Sequence, residues 1–319
     1  MTIRDWSGQI DALCAHVVKN YVFPDVGERV AEVLKARLAQ GEYEPITTDE
    51  AFALAVTADL QSVNGDKHLR LQHTVDPIPE QDAGPVFDPV AYRAEVELDG
   101  YGFARVERLA GNVGHLAITA MHDAAVAGHA AIAAMNLVAH TDALIIDLRG
   151  NGGGDPFMVA LLCSYLFDEP THLNDLYFRP TDSTEQFWTH AYVPGPSFGG
   201  GKPVYVLTSG STFSAAEEFT YNLQSRGRAT IVGERTKGGA HPGDRYRVDT
   251  HLRVFVPIGR AINPVTGSNW EGTGVVPDVD LPAESAFDHA YRLALRHVLT
   301  LGDTGPRRTV AEEARQAMM

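Results

Sequence analysis

Residues 208–219 read TSGSTFSAAEEF: hydroxyl side chains and a glycine stand between the apolar run PVYVL and a segment of helical character. Ser and Thr are favoured helix N-caps because their side-chain oxygens satisfy unpaired amides of the first turn, so capping alone explains residues of this type. Ser214 is also the best-placed nucleophile. It falls where a strand ends and a helix begins, and there free N–H groups and the positive end of the helix dipole favour negative charge on a nearby oxygen. Ser209 and Ser211 lie earlier in the loop and are weaker candidates. A second stretch, IIDLRGNGGGDP at residues 145–156, places three consecutive glycines after an apolar strand. Such a run permits positive φ and lets N–H groups approach a ligand oxygen. It lacks the Lys-Ser/Thr ending of a P-loop and the spacing of a dinucleotide site, which leaves a plain turn or an oxyanion loop.

A hydroxyl nucleophile needs a base, and 13 histidines compete for that role. His68 follows a helix stop at the start of the strand-like DKHLRLQH, while His241 in KGGAHPGD follows the run ATIVG and is its rival. A solvated strand-end histidine is an equal reading of His68. Glu271 lies in GSNWEGTG beside Trp270, an enclosed setting in which a carboxylate should have a partner. It can orient a histidine through its second ring nitrogen and stabilise the imidazolium. Asp147 and Asp278 are structural alternatives, with Asp147 expected to support the loop around Arg149.

Apolar residues at helical spacing predict helices over 7–21, from an Asp25/Glu28 capping box to Gly41, and over 48–63. These make residues 1–66 a small all-α N-terminal domain. Residues 67–90 read as a strand followed by the linker VDPIPEQDAGPVFDP. From residue 91 to 319 apolar runs alternate with helix-length segments, the pattern of an α/β sheet with crossover connections. A hairpin, RYRVDTHLRVFVPIG, and a helix near 284–299 close this core domain.

The 319 residues are 44% hydrophobic, enough for a large core and a smaller satellite. Lys and Arg number 26 against 41 Asp and Glu, a net charge of -15 that repels nucleic acid and anionic lipid. No apolar run is long enough to span a bilayer, and Asp5 and Asp11 interrupt the start where a secretory signal would be apolar, so a cytoplasmic location is expected, with secretion the alternative if a leader has been removed. Cys14 and Cys163 read as core filler. No residue pattern calls for a metal or an organic cofactor, and self-association into homo-oligomers is left open.

DLRGNGGG, TFSAAEEF, GERTKGGAHPG and NWEGTGVVPD, in this order, resemble the S41 family of serine peptidases. That family contains the tail-specific processing proteases, the tricorn core and the repeat modules of interphotoreceptor retinoid-binding protein, and the similarity is greatest in the last branch. The resemblance spans nearly the whole chain and implies a crotonase-like α/β core of stacked, spiralling β-sheet and helices. It makes Ser214 the nucleophile and Gly153 and Ala215 the oxyanion donors. The lysine base of the processing proteases falls on Gly239, with Lys237 two residues short, so a tricorn-like set of Ser214, His68 and Glu271 is implied instead. Lys67 stands where the tricorn pattern has a serine before its histidine, and Lys67 and His241 are secondary candidates. The interval from Leu71 to Gly100 is too short for the PDZ domain of the processing proteases, so tail recognition is not implied. The expected activity is hydrolysis of a peptide or small acyl substrate through an acyl-enzyme. Thioester hydrolysis, cyclisation, and carriage of a retinoid or fatty acid are the alternatives.

Overall fold

The computed structural model describes residues 4–80 and 85–319, so residues 81–84 of the expected linker lie outside the described residues. The chain forms two compact units, and neither is continuous in sequence. The first comprises Met1–Pro89, Leu176–Glu185 and His241–Ala261; the second comprises Val90–Asp175, Gln186–Ala240 and Ile262–Met319.

In the first unit the expected helices are Ser7–Asn20, Pro24–Ala39 and Asp49–Gln61. Ile10, Leu13 and Val17 of the first bury against Val30 and Leu34 of the second and Phe52, Val56 and Leu60 of the third. Each such side chain contributes about 1.5–3 kcal/mol when fully buried. Thr48 caps the third helix by accepting from the Ala51 N–H at 3.3 Å. The second helix begins differently from expectation. Pro24 is its first residue and Phe23 before it makes no side-chain cap, because a proline's fixed φ and missing N–H suit that position. Residues 1–66 are helical as expected, and the compact unit that holds them adds a small sheet. Strand Arg70–His73 pairs antiparallel with Leu252–Pro257, which pairs antiparallel with Gly243–Asp249, and Leu71, Val254 and Val256 join the helical core. Alternation in Leu69 and Leu71 leaves one apolar edge for the helices to cover, and the predicted hairpin supplies its missing sheet partner.

The second unit is built on a six-stranded sheet, in the order Val279–Asp280, Thr230–Gly233, Val204–Thr208, Ala143–Asp147, Val113–Ile118, Phe103–Leu109. Neighbours run parallel except at the edge, where Phe103–Leu109 is antiparallel. Helices Ala124–Val138, Pro156–Ser164 and Ala215–Ser225 lie between successive parallel strands, as the alternation predicts. Ile145, Tyr205, Leu207 and Val232 cluster with Ala286, Ala290 and Ala294 of helix Ala283–Thr300, whose small residues at every fourth position permit close approach. Leu144, Ile146 and Val206, pointing to the opposite face, are equally buried. Burial on both faces explains why these strands read as unbroken apolar runs.

Strands His172–Phe178 and Ser183–Trp188 and helix Arg307–Ala317 carry no clear sequence signal. The helix buries only Ala311 and Ala314, too little to leave an apolar stripe. Cys14 and Cys163 are buried and unbridged, in keeping with a core-filling role. Among the described residues no helix is long and apolar enough to cross a membrane.

Candidate active site

The parallel strand Val204–Thr208 delivers the hydroxyl-rich loop to the carboxyl edge of the sheet. Most of its hydroxyls are spent on the backbone: Thr208 Oγ1 donates to Glu234 O at 2.8 Å, Ser209 Oγ to Arg149 O at 2.6 Å, and Thr212 Oγ1 to Leu148 O at 2.8 Å. These bonds lock the loop against the glycine segment. Ser214 forms a capping box with Glu217, its side chain accepting from the Glu217 N–H. It is half-buried at the N-cap of helix Ala215–Ser225, with φ 56° and ψ -123°. A non-glycine residue pays for that conformation in strain, and strand-to-helix turns of this kind hold nucleophilic serines proud of an α/β sheet.

The glycine loop comes directly against this turn. Gly153 has φ 102°, and a Cβ there would lie 2.6 Å from Ser214 Cβ and 2.9 Å from Ala215 N, so no larger residue fits. The Ala215 N–H is taken up by no hydrogen bond among the described residues, as expected at the first turn of a helix. The Gly153 N–H, the other donor expected from the family resemblance, is engaged: it donates to Asn151 Oδ1 at 2.8 Å. Asn151 is fully buried and also donates from Nδ2 to Ile118 O at 3.0 Å. Arg149 meets Asp147 through two hydrogen bonds, 2.9 Å from Nε and 2.6 Å from the second nitrogen, the supporting role expected of Asp147. Thr119, Asp147, Arg149, Ser209 and Glu284 line an open cleft of about 450 Å³ beside this loop. It lies at the carboxyl ends of parallel strands, where open α/β sheets bind ligands.

Glu217, three residues into the helix, ties the turn to the loop after strand Thr230–Gly233. Among the described residues four donors converge on its buried carboxylate: Ser214 N–H at 2.9 Å, Thr236 Oγ1 at 2.5 Å, Gly238 N–H at 2.6 Å and Gly239 N–H at 2.9 Å. Burial pushes its pKa up, and these four hydrogen bonds pull against that shift. Glu271 grips the same loop one residue on, accepting from the Ala240 N–H at 2.6 Å, while Trp270 Nε1 donates to Gly239 O at 2.7 Å. Ser214, Gly153 and Ala215 are thus gathered at one turn of the second unit, and Glu271 is anchored to the loop that Glu217 holds.

His68, Lys67 and His241 belong to the first unit. The strand expected to begin at His68 begins at Arg70, and His68 sits in the preceding turn, 4% exposed, its ring 5.7 Å from that of Phe255. Lys67 offers its carbonyl to Gln61 Nε2 at 3.5 Å. His241 Nδ1 lies 2.7 Å from Oδ2 of Asp66, a residue absent from the sequence-derived candidates.

Residues 112–281, more than half of the chain, match the model of peptidase family S41. The chain belongs to peptidase family S41. Residues 4–97 match the model for the N-terminal domain of S41 peptidases in eukaryotic IRBP. Among solved structures, a protein from Parabacteroides merdae ATCC 43184 is 17% identical with a TM-score of 0.62, over 92% of this chain and 97% of that one. The photosystem II D1 C-terminal processing protease is 16% identical with a TM-score of 0.51, over 89% and 94%. Tricorn protease is 14% identical with a TM-score of 0.56, over 99% of this chain and 37% of tricorn. At such identities the likeness carries the fold, the mixed α/β architecture of S41 peptidases. Family membership makes the protein a serine-type peptidase.

Within this S41 domain the next residue of helix Ala215–Ser225, Glu218, is a buried acid of a different kind. Among the described residues its Oε1 has no hydrogen-bond partner, and burial pushes its pKa up to about 8, only partly opposed by Asn174 and Asn222. Below 4.5, the ordinary value, folded and unfolded chains both hold this proton; between 4.5 and about 8 only the unfolded chain releases it. Stability is therefore expected to fall as pH rises through that window, by about 1.4 kcal/mol per unit where the dependence is steepest. Urea unfolding at pH 5 and pH 8 measures this, and Glu218→Gln is expected to flatten the difference.

Proposed function

We propose that this S41 peptidase cleaves peptide bonds by acyl transfer through Ser214. His68 takes the Ser214 proton as Oγ attacks the scissile carbonyl carbon, and the imidazolium so formed is oriented and stabilised by Glu271. The carbonyl oxygen becomes an oxyanion before the Ala215 N–H and the glycine loop. Gly153 adds its own N–H by exchanging the Asn151 acceptor for the oxyanion. Such donors matter because each is worth about 2.7–4 kcal/mol of transition-state stabilisation. His68 then passes its proton to the departing amine, and water, deprotonated by the same imidazole, releases the acyl group. Lys67, beside the proposed base, and His241 are secondary participants.

The observation that carries this reading is the Ser214 turn, a strained serine at a helix N-terminus with Gly153 pressed against it. Fluorophosphonate labelling followed by intact-mass and peptide mapping tests it. A single adduct on Ser214, with loss of peptidase activity in step, is the expected result. Peptide hydrolysis that survives without any Ser214 adduct, or stoichiometric retinoid or fatty-acid binding without hydrolysis, overturns it.

A further inference from the structure

The first unit buries a carboxylate for which the reaction above has no use. Asp66 is 1% exposed. Its Oδ1 accepts the backbone N–H of His68 at 2.9 Å, and its Oδ2 accepts from the Tyr21 hydroxyl at 2.9 Å and lies 2.7 Å from His241 Nδ1. Asn64 Nδ2 in turn donates to the Tyr21 oxygen at 2.6 Å. Within the first unit, titratable groups that face Asp66 are Tyr21 from the end of the first helix, His68 from its own turn, and His241 from the segment before strand Gly243–Asp249. Burial alone would raise the Asp66 pKa, but the His241 hydrogen bond, the charge interactions with His241 and His68, and the Tyr21 hydroxyl together bring it below the usual carboxylate range. Asp66 is thus a buried anion, and against an anion His241 carries its proton on Nδ1.

We propose that Asp66 is the positioning residue for the His68 imidazole, with His241 and Tyr21 as the clamp that holds its carboxylate in place. The inference rests on the reading of His68 as general base. Two features argue for more than a turn. A turn of this kind needs one side-chain acceptor two residues before the amide, which a neutral asparagine supplies as well as an aspartate. Burying a full charge is costly, and it is favourable here only because the Tyr21 hydroxyl and the His241 imidazole, from distant parts of the chain, join the His68 N–H around it. What the charge adds is a fixed negative field beside a histidine that must become positive during turnover, together with a rigid backbone under its ring. A donor or acceptor that moves by an ångström loses much of its rate advantage, so a clamp on the base is a clamp on kcat.

Asp66→Asn separates the two functions, because its carboxamide oxygen still accepts the His68 N–H while the charge is gone. This variant is expected to lower kcat by about 10- to 100-fold with KM nearly unchanged, on the scale of outer-sphere partners that orient a reactive histidine. The acid limb of the kcat/KM profile should move to lower pH, and the rate of Ser214 labelling should fall in proportion to kcat. Asp66→Ala, which removes the acceptor as well, should be worse. His241→Gln and Tyr21→Phe keep the aspartate and should give intermediate losses, and they carry the test if the Asp66 variants do not fold. Wild-type kcat and an unmoved acid limb in Asp66→Asn overturn the proposal, as does a loss in all of these variants that merely tracks the fraction unfolded in thermal melts. If His68→Ala itself remains active, the general-base reading fails first; if it is inactive while Asp66→Asn is unaffected, only the positioning role fails.

Discussion

Ser214→Ala is expected to lower kcat on any peptide substrate by about 10⁴- to 10⁶-fold while leaving KM within a few-fold of wild type. In the proposed mechanism the hydroxyl makes the covalent bond, so its loss is expected to remove the acyl-enzyme route altogether. What remains is water attacking a carbonyl held before the oxyanion donors, which retains only about 10³- to 10⁴-fold over the uncatalysed reaction. The small effect on KM is expected because the surrounding backbone and cleft, unchanged in the variant, would still hold the substrate. Alanine meets the same strain at φ 56° that serine does and loses the side-chain cap, so stability should fall by about 0.5–2 kcal/mol. Ser214→Gly, which relieves that strain, should be inactive and more stable by about 1 kcal/mol, the signature of a conformation kept for function. Steady-state kinetics and melting curves on the three proteins decide the matter, and appreciable turnover by Ser214→Ala would falsify the assignment.

Glu217→Ala is expected to produce the largest loss of stability among these substitutions, about 3–5 kcal/mol. Truncation leaves the Ser214, Gly238 and Gly239 amides and the Thr236 hydroxyl without their acceptor in a site closed to water. The Thr236 oxygen already accepts the Val275 N–H at 2.7 Å, and its proton loses the acceptor it had in Glu217. Glutamine fails too. Each carboxylate oxygen receives two donors, so an NH₂ group placed at either position meets at least one backbone N–H head-on. Both variants should lower the urea midpoint with an unchanged m-value, and both should lower kcat because the Ser214 turn loses its tether. A Glu217→Gln protein as stable and active as wild type would show that the four-donor site contributes nothing.

These two predictions differ in how far each could be read in advance. Ser214 was legible because strand, turn and helix are all local patterns: PVYVL reads as a buried strand, and SAAEEF opens a helix. Gly153 was legible for a similar reason, as part of a glycine run after an apolar strand. The role of Glu217 was not. It looks like an ordinary first-turn acid, and only its partners 19, 21 and 22 residues away reveal that it holds two loops together. Asp66 was hidden more deeply. In NGDKHL it reads as a turn former, and its histidine partner lies 175 residues further on.

The same division runs through the architecture. The alternation of strands and helices, the glycine-built loop, the N-terminal helices and the hydroxyl at a strand-to-helix junction are properties of short segments, and the amino-acid order alone determined them, because backbone preference and apolar periodicity act within about a dozen residues. The tertiary structure alone decided that the hairpin of residues 243–257 completes the N-terminal unit rather than the core, that Asn151 occupies the Gly153 amide, and that His241 faces Asp66. Hydrogen-bond partners of buried polar groups are chosen by which surfaces pack together, and such a choice leaves no periodic trace along the chain.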